Sequence, residues 1–350
     1  MTPDKATTPA DAVRDQAHTL TDLARSEALS TFGPRVMKLS GPFAGLFRLD
    51  YDEKIFQRHY RNPVLVTVSR SAPPTRMALA MQAARLRDLA TDLVAACAND
   101  MLTIGAEPLF LLHHLAGRLA PGQQLQIHEG LAEGCRQAGC ALFSGHRVDP
   151  SVKQSAEPAD LVTFAVGVCD HRRMVTSEQI EPEDAILGIA AAGLHGPAFD
   201  RACHVLLHER NLTLDSRIEA LNATVADVLL QPARIYVSAV QRVLRYYRRK
   251  RVVSGMAHVP DTSLQDTIAQ ILPAGLRADI DPAAWPVPPV YTLLGQGGDS
   301  AETLRQTYGA GIGFVMVVRP SFAQSILKQL QRRGQPGWRI GQVVKAPKDS

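Results

Sequence analysis

The chain predicts a two-domain α+β protein, and three observations carry that reading. Its 350 residues, 45% apolar and 21% charged, are enough to build two separate cores. Strand-like and helix-like stretches mix irregularly in both halves rather than alternating as in a doubly wound sheet. A polar stretch, Asp170–Asp184 (DHRRMVTSEQIEPED), divides a first domain at 1–170 from a second at 171–350.

In the first half, Ala10–Leu29 has helical periodicity and reads as an amphipathic arm, and Lys38–Gly45 as a polar turn. Val64–Val68 is apolar and β-branched, hence a strand; it enters the loop Ser69–Arg76 and then helices that run to Ile104. Gly105 suits a helix C-cap, and Pro108–Gly117 (PLFLLHHLAG) reads as a buried strand. Gln123–Ala138 is a helix closed by Gly139, with strands expected at Cys140–Gly145 and Asp160–Val168. The second half opens with a strand at Ala185, followed by helices beginning at Phe199, Leu221 and Pro232. A helix over Thr262–Leu272, a strand in Gly309–Val318, a helix over Ser321–Arg333 and a closing strand at Trp338–Val344 complete it.

Charge and cysteines exclude several classes. A net charge of +4 and a pI of 8.8 over 38 kDa do not argue for nucleic acid. The five cysteines form no CxxC pair and read as buried thiols of a reducing compartment. The N-terminus has no apolar signal core. The longest uncharged stretch, Ala185–Phe199, falls short of the roughly 18–20 apolar residues a span requires. A cytoplasmic protein without membrane contact is expected. The run Arg242–Arg251 places six cations in ten residues. It reads as a solvated helix end, with an anionic-partner or RNA surface as the sharper alternative.

The strand-to-helix stretch Ser69-Arg70-Ser71-Ala72-Pro73-Pro74-Thr75-Arg76 stands where phosphate loops form, yet it has no glycine. Its prolines offer no N–H, and its two arginines are either solvated or anion-binding. Asn99 and Asp100 close a helix and suit either local capping or ligand contact. His113 and His114 point to opposite faces of their strand, one buried and one exposed. His195 is a turn histidine or a ligand contact, and no metal is predicted, since His113, His146 and Asp149 lack ligand spacing.

Several segments in order resemble the aminoimidazole ribonucleotide synthetase (phosphoribosylformylglycinamidine cyclo-ligase) family. They are NPVLV at 62, DLVAACAND at 92, GAEPLF at 105, GLAEGCRQAGC at 130, PARIYV at 232, MAHV at 256, GAGIGF at 309 and WRIG at 338. The resemblance implies ATP and Mg²⁺ as cofactors and a homodimer whose N-terminal sheets form a shared barrel, with a C-terminal α/β sandwich. Where the family has S-G-T-D-G-V-G-T-K, this chain places Arg70 at the Asp and Arg76 at the Lys. The G-G-E-T turn becomes Ser144-Gly145-His146-Arg147, and a strand aspartate becomes His113. The G-P-H-S-N-G-Y motif keeps only Gly193 and His195. If catalysis survives, the resemblance assigns it to Asn99, Asp100, Arg76 and His195. Otherwise Arg70, His113, His146 and Arg147 form a cationic groove for a small anion or phosphorylated metabolite. Two readings therefore stand: a degenerate paralogue binding such a ligand or a protein partner, and an active cyclo-ligase with a rebuilt site.

Overall fold

The computed structural model describes residues 22–37, 46–53, 56–58, 60–143, 159–259, 263–294 and 311–347. The expected turn at Lys38–Gly45 and the first part of the expected arm lie outside these residues. Residues 22–30 are helical, as expected of the end of that arm.

The N-terminal sheet contains β1 (Pro63–Ser71), β2 (Glu107–Ala116), β3 (Ala141–Leu142) and β4 (Asp160–Asp170), in the order β1-β4-β2-β3. The first three neighbours pair antiparallel, and β2 pairs β3 in parallel. Helices α1 (Pro74–Gln82), α2 (Leu86–Leu102) and α3 (Pro121–Ala138) complete the domain. Val64, Val66 and Val68 turn one side of β1 towards the core. On the opposite face Leu65, Leu112 and Phe164 are 63%, 40% and 46% exposed. Gly139 ends α3 at φ +73°, where a side chain would be strained.

The region from Ser69 to Arg76 differs from the expected eight-residue loop. Ser69, Arg70 and Ser71 continue the strand, paired with Phe164, Thr163 and Val162. Ala72 N–H donates to Leu161 O (2.9 Å), and only Ala72 and Pro73 separate the strand from the helix. Pro73 is the N-cap and Pro74 opens the first turn, where a missing N–H leaves no helical bond unmade. The prolines start a helix here; they leave no phosphate cradle.

The second sheet contains β5 (Ala185–Ala190), β6 (Val253–His258), β7 (Leu276–Ile280), β8 (Ile312–Val318) and β9 (Gly337–Lys345). Their order is β6-β8-β5-β9-β7, antiparallel throughout. Helices α4 (Gly196–Cys203), α5 (Val225–Leu229), α6 (Val237–Tyr246), α7 (Leu264–Ile271) and α8 (Ala323–Gln331) accompany it. Strands β6 and β7 were not expected. The helices anticipated from Leu221 and Pro232 begin later, at Val225 and Val237. Thr224 sets the first of these starts by accepting from Asp227 N–H.

One apolar core runs through both halves, from Met77 and Leu89 to Val240 and Phe314. Polar bonds stitch the same junction. Gln241 Nε2 donates to Gly105 O and Ala106 O (3.0 and 2.9 Å), and Arg85 pairs with Asp227 (2.6 Å). All five cysteines are buried free thiols, as expected. Among the described residues no helix is long and apolar enough to cross a membrane.

Candidate functional site

Helix α2 organises the junction between the domains. Asp92, Asn99 and Asp100 stand seven and eight residues apart, two helical turns, so they share the face turned to the second domain. Each meets a different set of partners.

Asp92 lies in a buried polar knot. Arg76, itself 4% exposed, approaches Asp92 Oδ2 to 3.4 Å and donates to Leu194 O (3.2 Å) and Gln231 O (3.3 Å). Its guanidinium also stacks over Phe199, 5.1 Å from the ring centre. Arg76 is therefore not a solvated loop residue. His195, the N-cap of α4, has Nε2 3.1 Å from Ala192 O and Nδ1 2.9 Å from Arg76 Nη1. A carbonyl can only accept and a guanidinium can only donate. The imidazole is thus neutral, with its proton on Nε2. Burial lowers the His195 pKa and the Arg76 charge lowers it further, against an opposing pull from Asp92. For Asp92, burial works upward, but the Arg76 charge and the Ala233 N–H outweigh it and hold the carboxyl below its usual range.

Asp100 forms the second knot. Arg70 donates from Nε and Nη2 to its Oδ2 (2.8 and 2.6 Å), and His258 Nδ1 donates to its Oδ1 (2.8 Å). Burial raises the Asp100 pKa, yet the His258 and Arg70 bonds prevail and leave it lowered. Asn99, fully buried, donates to Arg234 O (2.8 Å) and accepts from Tyr236 N–H (3.0 Å). Its amide is thus spent clamping the segment before α6 onto α2. The space left between His195, Tyr236, His258 and Gly193 is a cavity of ≈ 20 Å³, about one water.

The structure brings Asn99, Asp100, Arg70, Arg76 and His195 to this junction. His113 shares a sheet row with Arg70, since both pair with Thr163. Its ring, however, packs edge-on against His128 of α3 (5.0 Å) while Arg70 turns to Asp100. His113 is half-buried and His114 exposed, as their alternation predicted. His146 and Arg147 lie outside the described residues. Sequence reading did not single out Asp92 or His258, although both sit inside segments that carry the family resemblance. Gly193 has a structural reason to persist: its φ is +74°, and a Cβ would stand 2.2 Å from Gln231 O.

Residues 64–169 match the AIR synthase related protein, N-terminal domain, and residues 181–350 match the AIR synthase related protein, C-terminal domain. A phosphoribosylformylglycinamidine cyclo-ligase of Anaeromyxobacter sp. (strain K) is 37% identical over 333 residues, 94% of this chain and 92% of the relative. That of Geobacillus kaustophilus is 34% identical over 325 residues, 92% of this chain and 91% of the relative. Among solved structures, the thiamine-monophosphate kinase of Stenotrophomonas maltophilia superposes with a TM-score of 0.68 at 17% identity, covering 93% of each chain. That likeness shows the fold alone. With both domains matched in order and cyclo-ligases similar over nearly its whole length, the chain belongs to the AIR synthase related family.

Proposed function

We propose that this chain is a non-catalytic member of the cyclo-ligase group, a homodimer that takes a phosphorylated or otherwise anionic small molecule where its domains meet. One observation carries the reading: the two carboxylates of α2 that face the junction are each held by an arginine of the chain itself, and Asp100 by His258 as well. Mg²⁺ takes near-octahedral oxygen ligands and is usually held by one or two carboxylates together with substrate phosphates. Asp92 and Asp100 are already neutralised, and Arg70 and Arg76 bring positive charge to the same place. The donor set does not fit Mg²⁺, and Pro73-Pro74 does not fit a polyphosphate loop. Arg70, with 36% of its side chain exposed, is the cation best placed to share its fork with an incoming anion.

The test is ADP release from Mg·ATP and formylglycinamidine ribonucleotide. No release above the enzyme-free blank is expected. Release that disappears in Asp100→Ala would overturn this reading in favour of an active cyclo-ligase with a rebuilt site. The 34–37% identity to cyclo-ligases over nearly the whole chain is what favours that second reading.

The dimer rests on the apolar face formed by Leu65, Leu112 and Phe164, which a lone domain leaves in water. Sedimentation at micromolar concentration is expected to show twice the chain mass, with Phe164→Glu shifting it to one. A stable wild-type monomer counts against the dimer.

A further inference from the structure

A second cleft, of ≈ 760 Å³, opens apart from the Asp92–Asp100 site, between the connection that follows β4 and the C-terminal end of α6. We propose that it is a metal-free site for a small polyanion bearing a run of phosphoryl groups. Arg172 and Arg173 line it from the first domain's exit, and Arg245, Arg248 and Arg251 from the segment about seventy residues later. All five are exposed. Arg251 Nη2 donates to the Arg172 carbonyl (3.3 Å), which draws the two basic stretches together.

The carboxylates of the lining do not balance these charges. Glu107 is taken by Arg35 (3.2 Å) and the Tyr60 hydroxyl (3.2 Å). Asp170 accepts the backbone N–H groups of Arg61 and Arg172 (3.2 and 3.1 Å). Glu178 is the third, on an exposed turn. Among the described residues no ion pair joins Arg172, Arg173, Arg248 or Arg251 to a carboxylate. The helix dipole gives a reason for cations at the end of α6. It gives none for Arg172 and Arg173, which arrive from the connection between the domains and add repulsion that a bound polyanion would turn into attraction.

The residue type and the shape narrow the ligand. Guanidinium forks match phosphate oxygens in pairs, and arginine stays charged at any physiological pH. The volume lies within the range of small-molecule pockets rather than that of an open nucleic-acid track. Met174, Val175 and Leu244 add an apolar wall. A free polyphosphate and a nucleoside polyphosphate share the required chemistry. The proposal is independent of the site around Asp92 and Asp100, since none of Arg70, Arg76, Asp100 or His258 lines this cleft.

Calorimetric titration in EDTA tests it, with tripolyphosphate, a nucleoside triphosphate and orthophosphate as probes. Tripolyphosphate is expected to bind at about micromolar Kd in dilute salt, and at least about tenfold more weakly at 0.2 M salt. Orthophosphate should bind far more weakly. Arg172→Ala with Arg248→Ala should cost at least about tenfold in affinity with the melting temperature kept, whereas Arg70→Ala should leave binding intact. Tighter binding of the nucleoside triphosphate than of tripolyphosphate assigns the apolar wall to a base; equal binding assigns recognition to the phosphate chain, and both support the site. Absence of tripolyphosphate binding to the wild type overturns it. So does affinity unchanged in the double variant, or lost in Arg70→Ala alone. Should the double variant not fold, Arg173→Ala replaces it with the same expected loss. An RNA that binds where tripolyphosphate does not also overturns the proposal.

Discussion

Arg76→Met is expected to destabilise the protein by about 3–5 kcal/mol, because it leaves Asp92 ionised in a nearly closed pocket without its cation. Methionine keeps much of the stem volume, so the loss reports on charge rather than on a cavity. The same guanidinium donates to Leu194 O and Gln231 O, two carbonyls of the second domain that would also go unpaired. The deficit has a pH signature. In the wild type the Asp92 pKa is held down, so its contribution is present above the unfolded carboxylate value and is lost as pH falls through the folded one. Without Arg76, burial pushes the pKa above the unfolded value and the sign reverses: stability is then lost as pH rises through the folded pKa. Thermal melts should therefore show a larger gap between variant and wild type at pH 7 than at pH 4. Arg76→Met with Asp92→Asn should recover most of the loss, since asparagine still accepts from Ala233 N–H. A gap independent of pH, or no recovery in the double variant, would show that Arg76 acts through the Leu194 and Gln231 carbonyls and its packing and not through the Asp92 charge.

That pairing was not legible in the sequence, although the residue types were. Arg76 and His195 are 119 positions apart and Arg70 and Asp100 are 30 apart, so only the tertiary fold makes them partners. What local chemistry could set was visible. Gly139 closes its helix at positive φ, and the apolar strand expected at Asp160–Val168 extends only two residues further. Strand β6 escaped because VSGMAH holds a single β-branched residue and does not alternate: four consecutive residues of its six are buried although it lies at the edge of the sheet. Strand β7 is a sheet edge whose LRADI carries two charges in five residues, and it forms by pairing with β9. The Ser69–Arg76 stretch misled for a different reason. Serines and prolines signal a turn, but β4 supplied a ladder partner for Ser69–Ser71, and the prolines served to start a helix.

Gly130→Ala is expected to be the most damaging single methyl addition in the chain's helices. Gly130 and Gly134 stand one turn apart on α3, on the side pressed against α2. A Cβ at Gly130 would lie 2.1 Å from the Arg87 carbonyl oxygen and 2.8 Å from Ala90 Cβ, and one at Gly134 would lie 2.6 Å from Val94 Cβ. The obstacle at Gly130 is backbone, so no rotamer change relieves it and the helices must separate. Separation also pulls on Thr91, whose single hydroxyl proton is shared between Arg87 O and Gly130 O, each 3.0 Å from Oγ1. Replacing glycine by alanine gains about 1 kcal/mol of helix propensity, while overpacking costs about 1–3 kcal/mol and more where backbone must move. The clash wins here, and a melting temperature lower by roughly 2–5 °C is expected. Gly122, in the first turn of the same helix, meets nothing within 4 Å, so Gly122→Ala isolates the propensity effect and should not lower it. If Gly130→Ala melts at or above the wild-type temperature, the two helices do not approach as closely as this contact requires.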